Sequence, residues 1–131
     1  MESKPVALVI EDNQDLNIIF SSALENAGYT IQSVYDGAAA EQFLSENVPA
    51  MVILDLHMPK VGGNVILKHI RSDPRFEKVR VIVVTADARF ADTLQSDAEL
   101  ILLKPISFSQ LSELAKRFAP MSDSLQEEDV P

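Results

Sequence analysis

The sequence has 131 residues, of which 47% are hydrophobic and 24% charged, and this length and composition predict one compact, soluble domain rather than a disordered chain. The net charge of −9 at pH 7 argues against nucleic acid as a partner, because phosphate contacts require clusters of Lys and Arg. Cysteine is absent, so disulfides and thiolate metal sites are excluded. No apolar run approaches the ~18 residues of a membrane helix, and the N-terminal MESKP lacks the apolar stretch of a signal peptide. We therefore expect no membrane association and a cytoplasmic location.

The first half of the chain alternates strand and helix patterns twice. VALVI (6–10) is an apolar run of strand length, and the helical spacing that follows it ends at Gly28, a typical C-terminal cap. YTIQSVY (29–35) alternates in polarity, which predicts a strand at the edge of the sheet. Asp36 then has the position of an N-cap for a second helix, GAAAEQFLSEN (37–47).

The second half contains three further apolar strands. They are MVILDL (51–56), VRVIVVT (79–85) and ELILLK (99–104). Near-continuous apolarity in these runs and in the first strand is typical of parallel strands that are covered on both faces. A helix that carries Ile66 and Ile70 stops before Pro74, and the capping-box spacing of Ser107 and Gln110 precedes a last helix.

The order of these elements predicts the fold class. Alternating strands and helices favour a doubly wound α/β sheet, because parallel neighbours need long crossovers and helices usually supply them. Segment 86–98 shows little periodicity, so we expect at most one or two helical turns where the fourth helix falls. Residues 120–131 carry four acidic groups and no basic one, which predicts a flexible acidic tail or the start of a linker after a domain of residues 1–119.

Polar residues follow the predicted strands at one edge of the sheet. They are Glu11 and Asp12 after the first strand, Asp55 on the third, Thr85 on the fourth and Lys104 on the fifth. In an open parallel sheet, ligands bind beyond the carboxyl ends of the strands. Three converging carboxylates favour a hard divalent cation, Mg²⁺ or Mn²⁺. With a lysine and a hydroxyl opposite, such a site suits a phosphoryl group, and Asp55, the lone acid on the central strand, is the predicted nucleophile.

Each of these residues also has an ordinary structural interpretation. Glu11 and Asp12 fit a solvated strand end before a helix cap, Thr85 fits a strand-end hydroxyl, and Lys104 fits a surface lysine. Asp55 is harder to explain in this way, since acids are depleted in strands. The functional prediction therefore depends on the combination at successive strand ends.

These segments resemble a known family. VALVIEDNQD, VILDLHMP, VIVVTAD and LILLKP, in this order and spacing, are similar to the receiver domain of two-component response regulators, the CheY-like superfamily, over roughly residues 4 to 119. The resemblance implies a flavodoxin-like, five-stranded parallel sheet of order 2-1-3-4-5 flanked by five helices, here with a shortened fourth helix. It also implies that the domain accepts a phosphoryl group from a histidine kinase or histidine phosphotransfer protein and switches partner binding.

The resemblance assigns a phosphoacceptor and a metal site. Asp55 matches the phosphoacceptor, and Asp12 matches the residue that binds magnesium directly. Glu11 matches the other acidic position of the family, which usually holds the metal through water. The backbone carbonyl of His57 would complete the metal shell, with Mg²⁺ or Mn²⁺ as the cofactor.

The resemblance also assigns a switch. Thr85 matches the hydroxyl that moves to the phosphoryl oxygen, and Lys104 matches the lysine that pairs with it. Pro105 matches a proline whose preceding peptide bond is typically cis in the family. Gly63 matches the glycine eight residues beyond the phosphoacceptor, which lets the chain turn into the third helix.

The sequence departs from the family at two places. It also has two positions, His57 and Asp87, whose role stays open, and we call them the tuning positions. Ile101 stands where most receivers have an aromatic residue that rotates with the switch hydroxyl, and the stretch between Thr85 and Lys104 is about three residues short. The first change puts in question the usual coupling between the switch hydroxyl and an aromatic residue. The second puts in question the usual output face, which is the surface of the fourth helix, fifth strand and fifth helix through which the family commonly signals. His57 and Asp87 match positions that flank the path of attacking water, and they are interpreted either as controls of phosphoryl lifetime or as exposed loop side chains.

Two other functions compete with the phosphoacceptor. A phosphohydrolase of the haloacid dehalogenase type needs a second acid two residues after the nucleophile, where this sequence has His57. A scaffold that keeps the fold without phosphorylation would usually have lost a member of the polar set, and this sequence keeps all five, but Ile101 and the short fourth helix keep this alternative open. The cognate kinase, the output target, the oligomeric state and the choice between a stand-alone protein and a fragment of a longer chain stay open.

Overall fold

The computed structural model of the protein describes residues 4–58, 62–87, 89 and 97–120. Its strands are β1 (Val6–Ile10), β2 (Thr30–Val34), β3 (Met51–Asp55), β4 (Arg80–Thr85) and β5 (Leu100–Leu103). Its α-helices are α1 (Gln14–Asn26), α2 (Gly37–Glu46), α3 (Gly63–Ser72) and α4 (Phe108–Arg117), and a 3₁₀ helix spans Pro74–Phe76. Within the described residues no helix has the length and apolarity that a membrane span requires.

The sheet has the predicted architecture. All strand pairs are parallel, and the five strands lie in the order β2-β1-β3-β4-β5. Two separate groups of buried apolar side chains pack against its two faces, as a doubly wound sheet requires. The polar strand β2 lies at an edge, which confirms the prediction from its alternating sequence.

One expectation from the sequence stays a prediction, and another needs correction. The described residues contain four of the five predicted α-helices. The expected short fourth helix falls mainly on residues 88 and 90–96, which lie outside the described residues. The apolar run at 99–104 was expected to be covered on both faces, but β5 is only partly buried and Leu103 is 50% exposed, because β5 forms the second edge of the sheet.

The helix ends follow the predicted capping chemistry. Asp36 accepts a hydrogen bond from Ala39 N at 2.8 Å, and Ser107 accepts one from Gln110 N at 3.0 Å, so each side chain satisfies an amide that the helix leaves free. Gly28 follows α1 with φ of 105°, a left-handed conformation that glycine adopts without a Cβ penalty. The first helix is capped by Asn13, so neither Glu11 nor Asp12 serves as its cap.

Gly63 brings the start of α3 against the end of β3. A Cβ at this position would overlap Asp55 O and lie 2.8 Å from Leu56 Cα. Both atoms belong to the backbone of the segment that carries Asp55, so they cannot move without shifting the site. The requirement for glycine here is therefore steric.

We predict that Gly63→Ala lowers the free energy of unfolding by ~1–3 kcal/mol, as overpacking a tight contact does. Gly62→Ala is the matched control, because the one close contact of its Cβ would be the terminal oxygen of the Asn64 side chain, which can rotate away, while Leu56 O lies at an ordinary 4.0 Å. That control should stay within ~1 kcal/mol of the parent protein. Urea denaturation of both variants measures the difference, and equal stabilities would contradict the steric argument.

Candidate functional site

Strand register gathers the polar residues at the carboxyl edge of the sheet. Ile10 pairs with Leu54, so Glu11 follows β1 beside Asp55, the last residue of β3. Thr85 pairs with Leu103, which places Lys104 beside the end of β4. The five predicted residues therefore lie along the ends of four neighbouring strands, as the sequence pattern indicated.

Three carboxylates form a compact acidic cluster, defined by Glu11, Asp12 and Asp55. Each offers an oxygen, and these oxygens all lie within 4.8 Å of one another. Glu11 and Asp55 are only 1% and 2% exposed, whereas Asp12 is exposed. Hard, closely spaced oxygen donors with one side open to solvent suit Mg²⁺ or Mn²⁺ and offer no soft ligand for zinc.

Burial makes the two inner carboxylates difficult to ionise. Desolvation raises the pKa of Glu11 to about 7, against the lowering effect of the Asn13 backbone amide and of Lys104. Desolvation likewise raises the pKa of Asp55, opposed by the His57 backbone amide and by Lys104. The amides act directly, since Asn13 N donates to Glu11 Oε2 and His57 N donates to Asp55 Oδ1, both at 3.1 Å. A bound dication would add further positive charge and favour the ionised forms.

Lys104 supplies the cation that faces both buried acids. Its Nζ lies 3.0 Å from Glu11 Oε1 and 3.5 Å from Asp55 Oδ1. The contact with Glu11 has the distance of an ion pair but not the geometry of a hydrogen bond, and Glu11 Oε1 accepts no hydrogen bond from any described residue. A buried carboxylate oxygen without a hydrogen bond can still bind a cation, which fits a metal ligand.

The backbone around Lys104 and Thr85 has the predicted form. The peptide bond between Lys104 and Pro105 is cis. Lys104 N donates to Thr85 O at 2.9 Å, which ties the lysine to the end of β4. Thr85 is fully buried, and its Oγ1 accepts a hydrogen bond from Asp87 N at 3.1 Å, so the hydroxyl is held in a defined position beside the cluster.

The two tuning positions lie together at the solvent side of the site. His57 is exposed. Hydrogen bonds from Arg89 lower the pKa of Asp87 to about 2, and the nearby His57 makes a smaller contribution in the same direction. Arg89 Nε lies 2.9 Å and 3.0 Å from the two oxygens of Asp87, so the guanidinium occupies both.

The chain matches the family model of the response regulator receiver domain over residues 7–116. It belongs to the response regulator receiver family. The receiver is 31% identical over 110 residues to the DNA-binding dual master transcriptional regulator RpaA of Synechocystis sp., an alignment that covers 82% of this chain and 46% of that protein. It thus spans about half the length of RpaA.

Two further similarities cover nearly the whole of the other chain. Over 114 residues the receiver is 28% identical to the polar-differentiation response regulator DivK of Brucella anthropi, with 85% of this chain and 93% of DivK covered. The response regulator receiver domain (CheY-like) from Methylobacillus flagellatus superposes with a TM-score of 0.75 at 25% identity and covers 88% of this chain and 99% of that one. Chains related to this receiver therefore occur both at about its own length and within longer proteins.

Sequence reasoning missed one polar residue that supports the receiver site. Asn17 is 1% exposed, and its Nδ2 donates to Glu11 O and to Val34 O, each at 3.0 Å. It therefore joins the carboxyl ends of β1 and β2 and fixes the backbone that carries Glu11. The available signal was a polar residue on the helix stripe that also carries Phe20 and Leu24, because a polar side chain on an apolar stripe needs a buried partner.

A second missed group connects α3 with the approach to β5. Arg71 Nε donates to Asp97 O at 2.6 Å, and Arg71 Nη2 pairs with Glu99 Oε1 at 2.9 Å. The same Glu99 oxygen accepts from Val81 N at 2.6 Å. Nothing in the local sequence indicates this group, because its members lie far apart along the chain. It ties down the chain that enters the strand leading to Lys104.

Ile101, the departure from the family at the switch position, packs against the core. It is partly buried on β5, pairs with Val83 and packs against the apolar group that includes Val81 and Leu54. An aliphatic side chain in this setting has no ring to exchange between exposed and buried positions. Any coupling of Thr85 to the output face in this receiver must use other atoms.

We predict that Lys104→Met lowers the unfolding free energy of the metal-free receiver by ~1–3 kcal/mol, because two buried acids then lose their shared cation. Lys68→Met, an exposed lysine on α3, is the matched control and should change stability by no more than ~0.5 kcal/mol. Chemical denaturation in a chelator measures both, and added Mg²⁺ should recover part of the loss in Lys104→Met only. Equal effects of the two variants would show that Lys104 does not compensate the acids.

Proposed function

We propose that this receiver accepts a phosphoryl group on Asp55, in a reaction that requires Mg²⁺ or Mn²⁺, and that the modification changes which partner the domain binds. The observation that carries the proposal is the position of Asp55: a buried carboxylate at the end of the central strand, between an acidic pair and the ammonium of Lys104. A buried acid in this setting is costly to stability, so its retention is best explained by chemistry.

The phosphoryl donor is proposed to be a histidine kinase or a histidine phosphotransfer protein. An Asp55 carboxylate oxygen attacks phosphorus in line, the nitrogen–phosphorus bond of the donor breaks, and the donor imidazole keeps the electron pair. Asp12, Asp55 and the carbonyl of His57, together with Glu11, would hold the divalent cation, which would supply positive charge for the phosphoryl oxygens. Lys104 supplies the second positive charge, and the His57 amide keeps the Asp55 carboxylate oriented.

The switch is proposed to begin at Thr85. Its hydroxyl has Asp87 N as donor in this structure and retains its own proton to give to a phosphoryl oxygen on Asp55. Moving the hydroxyl towards Asp55 would pull on the segment that begins at Asp87, and Lys104 would follow the new negative charge. Because Ile101 is an aliphatic side chain packed against the core, the movement is proposed to pass through this segment and through the chain around Lys104.

We propose the same domain boundaries and the same cellular location as the sequence suggested. Residues 1–119 are proposed as the receiver and 120–131 as an acidic tail or linker start. A cytoplasmic location fits a domain whose donor is a histidine kinase.

A phosphohydrolase is disfavoured because the residue two positions after Asp55 is the exposed His57, which lacks the carboxylate of a second acid. A phosphorylation-independent scaffold has no need for the costly acidic cluster.

We predict that acetyl phosphate or phosphoramidate adds one phosphoryl group to the protein when Mg²⁺ is present and none when a chelator replaces it. Asp55→Asn should accept no phosphoryl group, because the nucleophilic oxygen is replaced by an amide, while Asp15→Asn, which removes an acid from the first turn of α1, should behave like the parent. Intact-mass spectrometry measures the gain. A phosphoryl group on Asp55→Asn would refute the assignment, and no gain with any donor would favour the scaffold.

We predict that Arg89→Ala shortens the lifetime of the phosphoryl group severalfold. Arg89 occupies both oxygens of Asp87, and its removal frees that carboxylate to orient an attacking water. Replacing Asp87 as well, in Arg89→Ala/Asp87→Ala, should restore the slow decay. Loss of phosphoprotein mass with time measures the rates, and an unchanged lifetime in Arg89→Ala would leave Asp87 without the proposed role.

A further inference from the structure

A groove with basic walls lies at the amino-terminal edge of the sheet, opposite the acidic cluster. We call it the basic groove and define it by the side chains of Lys78, Arg80, Arg117 and Phe118, with Val48 and Pro120 at its rim. Its volume is about 430 Å³. Lys78 and Arg80 flank the start of β4, and Arg117 and Phe118 end α4, so two elements far apart in sequence form the walls.

The cations of the groove lack anionic partners in the described part of the chain. No ion pair or side-chain hydrogen bond of Lys78, Arg80 or Arg117 occurs there. Arg80 instead lies over the ring of Phe118, 5.8 Å from its centroid. No acidic side chain lines the groove among the described residues. Glu77 and Glu99 line an adjoining cavity with Lys78 and Arg80 but form no ion pair with them. Three cations without an ion-pair partner among the described residues are unexpected in a protein of net charge −9 and favour an anionic occupant.

The sequence supplies such an occupant at the point where the described chain ends. Pro120 is part of the rim of the groove, and residues 121–131, MSDSLQEEDVP, carry four acidic groups and no basic one. The first acid, Asp123, is three residues beyond Pro120, a reach of at most ~10 Å. Met121 and Leu125 offer apolar contacts for the ring of Phe118 and for Val48, whose side chain is exposed.

We propose that the acidic segment 121–131 binds the basic groove of its own chain. Its carboxylates pair with Lys78, Arg80 and Arg117, and its apolar residues cover Phe118. Attachment through Pro120 makes the association intramolecular, so weak exposed ion pairs suffice where a separate peptide of the same sequence would bind poorly. The proposal is independent of phosphorylation, since the groove and the acidic cluster lie at opposite edges of the sheet.

The test uses the full chain, which contains no cysteine and so accepts a single introduced thiol. A nitroxide label on Val130→Cys broadens the amide signals of residues that it approaches. At about 0.05 M salt we expect strong broadening at Ala50, Val79 and Ala119, with the effect lost at about 0.5 M salt because screening weakens exposed ion pairs. An unbound segment would instead broaden the residues around Pro120 to the same extent at both salt concentrations.

Charge-matched variants separate groove binding from a general effect of charge. Lys78→Gln/Arg117→Gln should abolish the salt-dependent broadening, whereas Lys68→Gln/Lys116→Gln, which removes two exposed cations that do not line the groove, should retain it. Unchanged amide spectra away from the groove establish that each variant is folded. Equal behaviour of the two pairs would overturn the proposal. So would broadening that appears only when labelled protein is mixed with isotopically labelled, nitroxide-free protein, because the segment would then occupy a second copy.

Discussion

Two buried carboxylates share one ammonium group, so the buried acids outnumber the cations that face them. The other contacts of the site act on this imbalance of charge. Glu11 and Asp55 are almost fully excluded from solvent, and Lys104 faces both. Removing an ionised carboxylate from water costs several kcal/mol, and one cation cannot offset two such acids. The site is therefore electrostatically incomplete as a set of side chains. A dication would supply the missing positive charge, and a phosphoryl group on Asp55 would change the balance of charge again.

The fold holds this costly arrangement in place through backbone groups. The amides of Asn13 and His57 each donate to one of the buried acids, and Asn17 fixes the carbonyl of Glu11 from the opposite side. Gly63 lets α3 start against the end of β3 without displacing it. These contacts belong to the ends of regular elements, so the pairing of the strands fixes the backbone positions from which the acids project. The sheet thereby keeps the three carboxylates close together.

The sequence predicted those features that depend on local pattern. Apolar runs and capping residues such as Asp36 and Ser107 indicated the elements, and parallel pairing then required the acids, Thr85 and Lys104 to meet at one edge. Features that depend on the approach of distant segments were missed. Arg71 reaches Glu99 and Asp97 across 28 and 26 positions of sequence, and no periodicity reports such a contact. The exposure of β5 was also misjudged, because an apolar strand has the same composition at an edge as at the centre.

Strand β4 connects the two charged ends of the molecule. Arg80 begins the strand at the basic groove and Thr85 ends it at the acidic cluster, a separation of about 16 Å at ~3.3 Å per residue. This distance is about twice the ~8 Å screening length for exposed charges at physiological ionic strength, so direct attraction between the exposed charges of the two ends is weak. Coupling between them would require movement of β4 itself, whose central residues are fully buried and closely packed. A displacement of Thr85 along the strand axis would therefore be transmitted to Arg80, whereas a side-chain rotation at Thr85 would not.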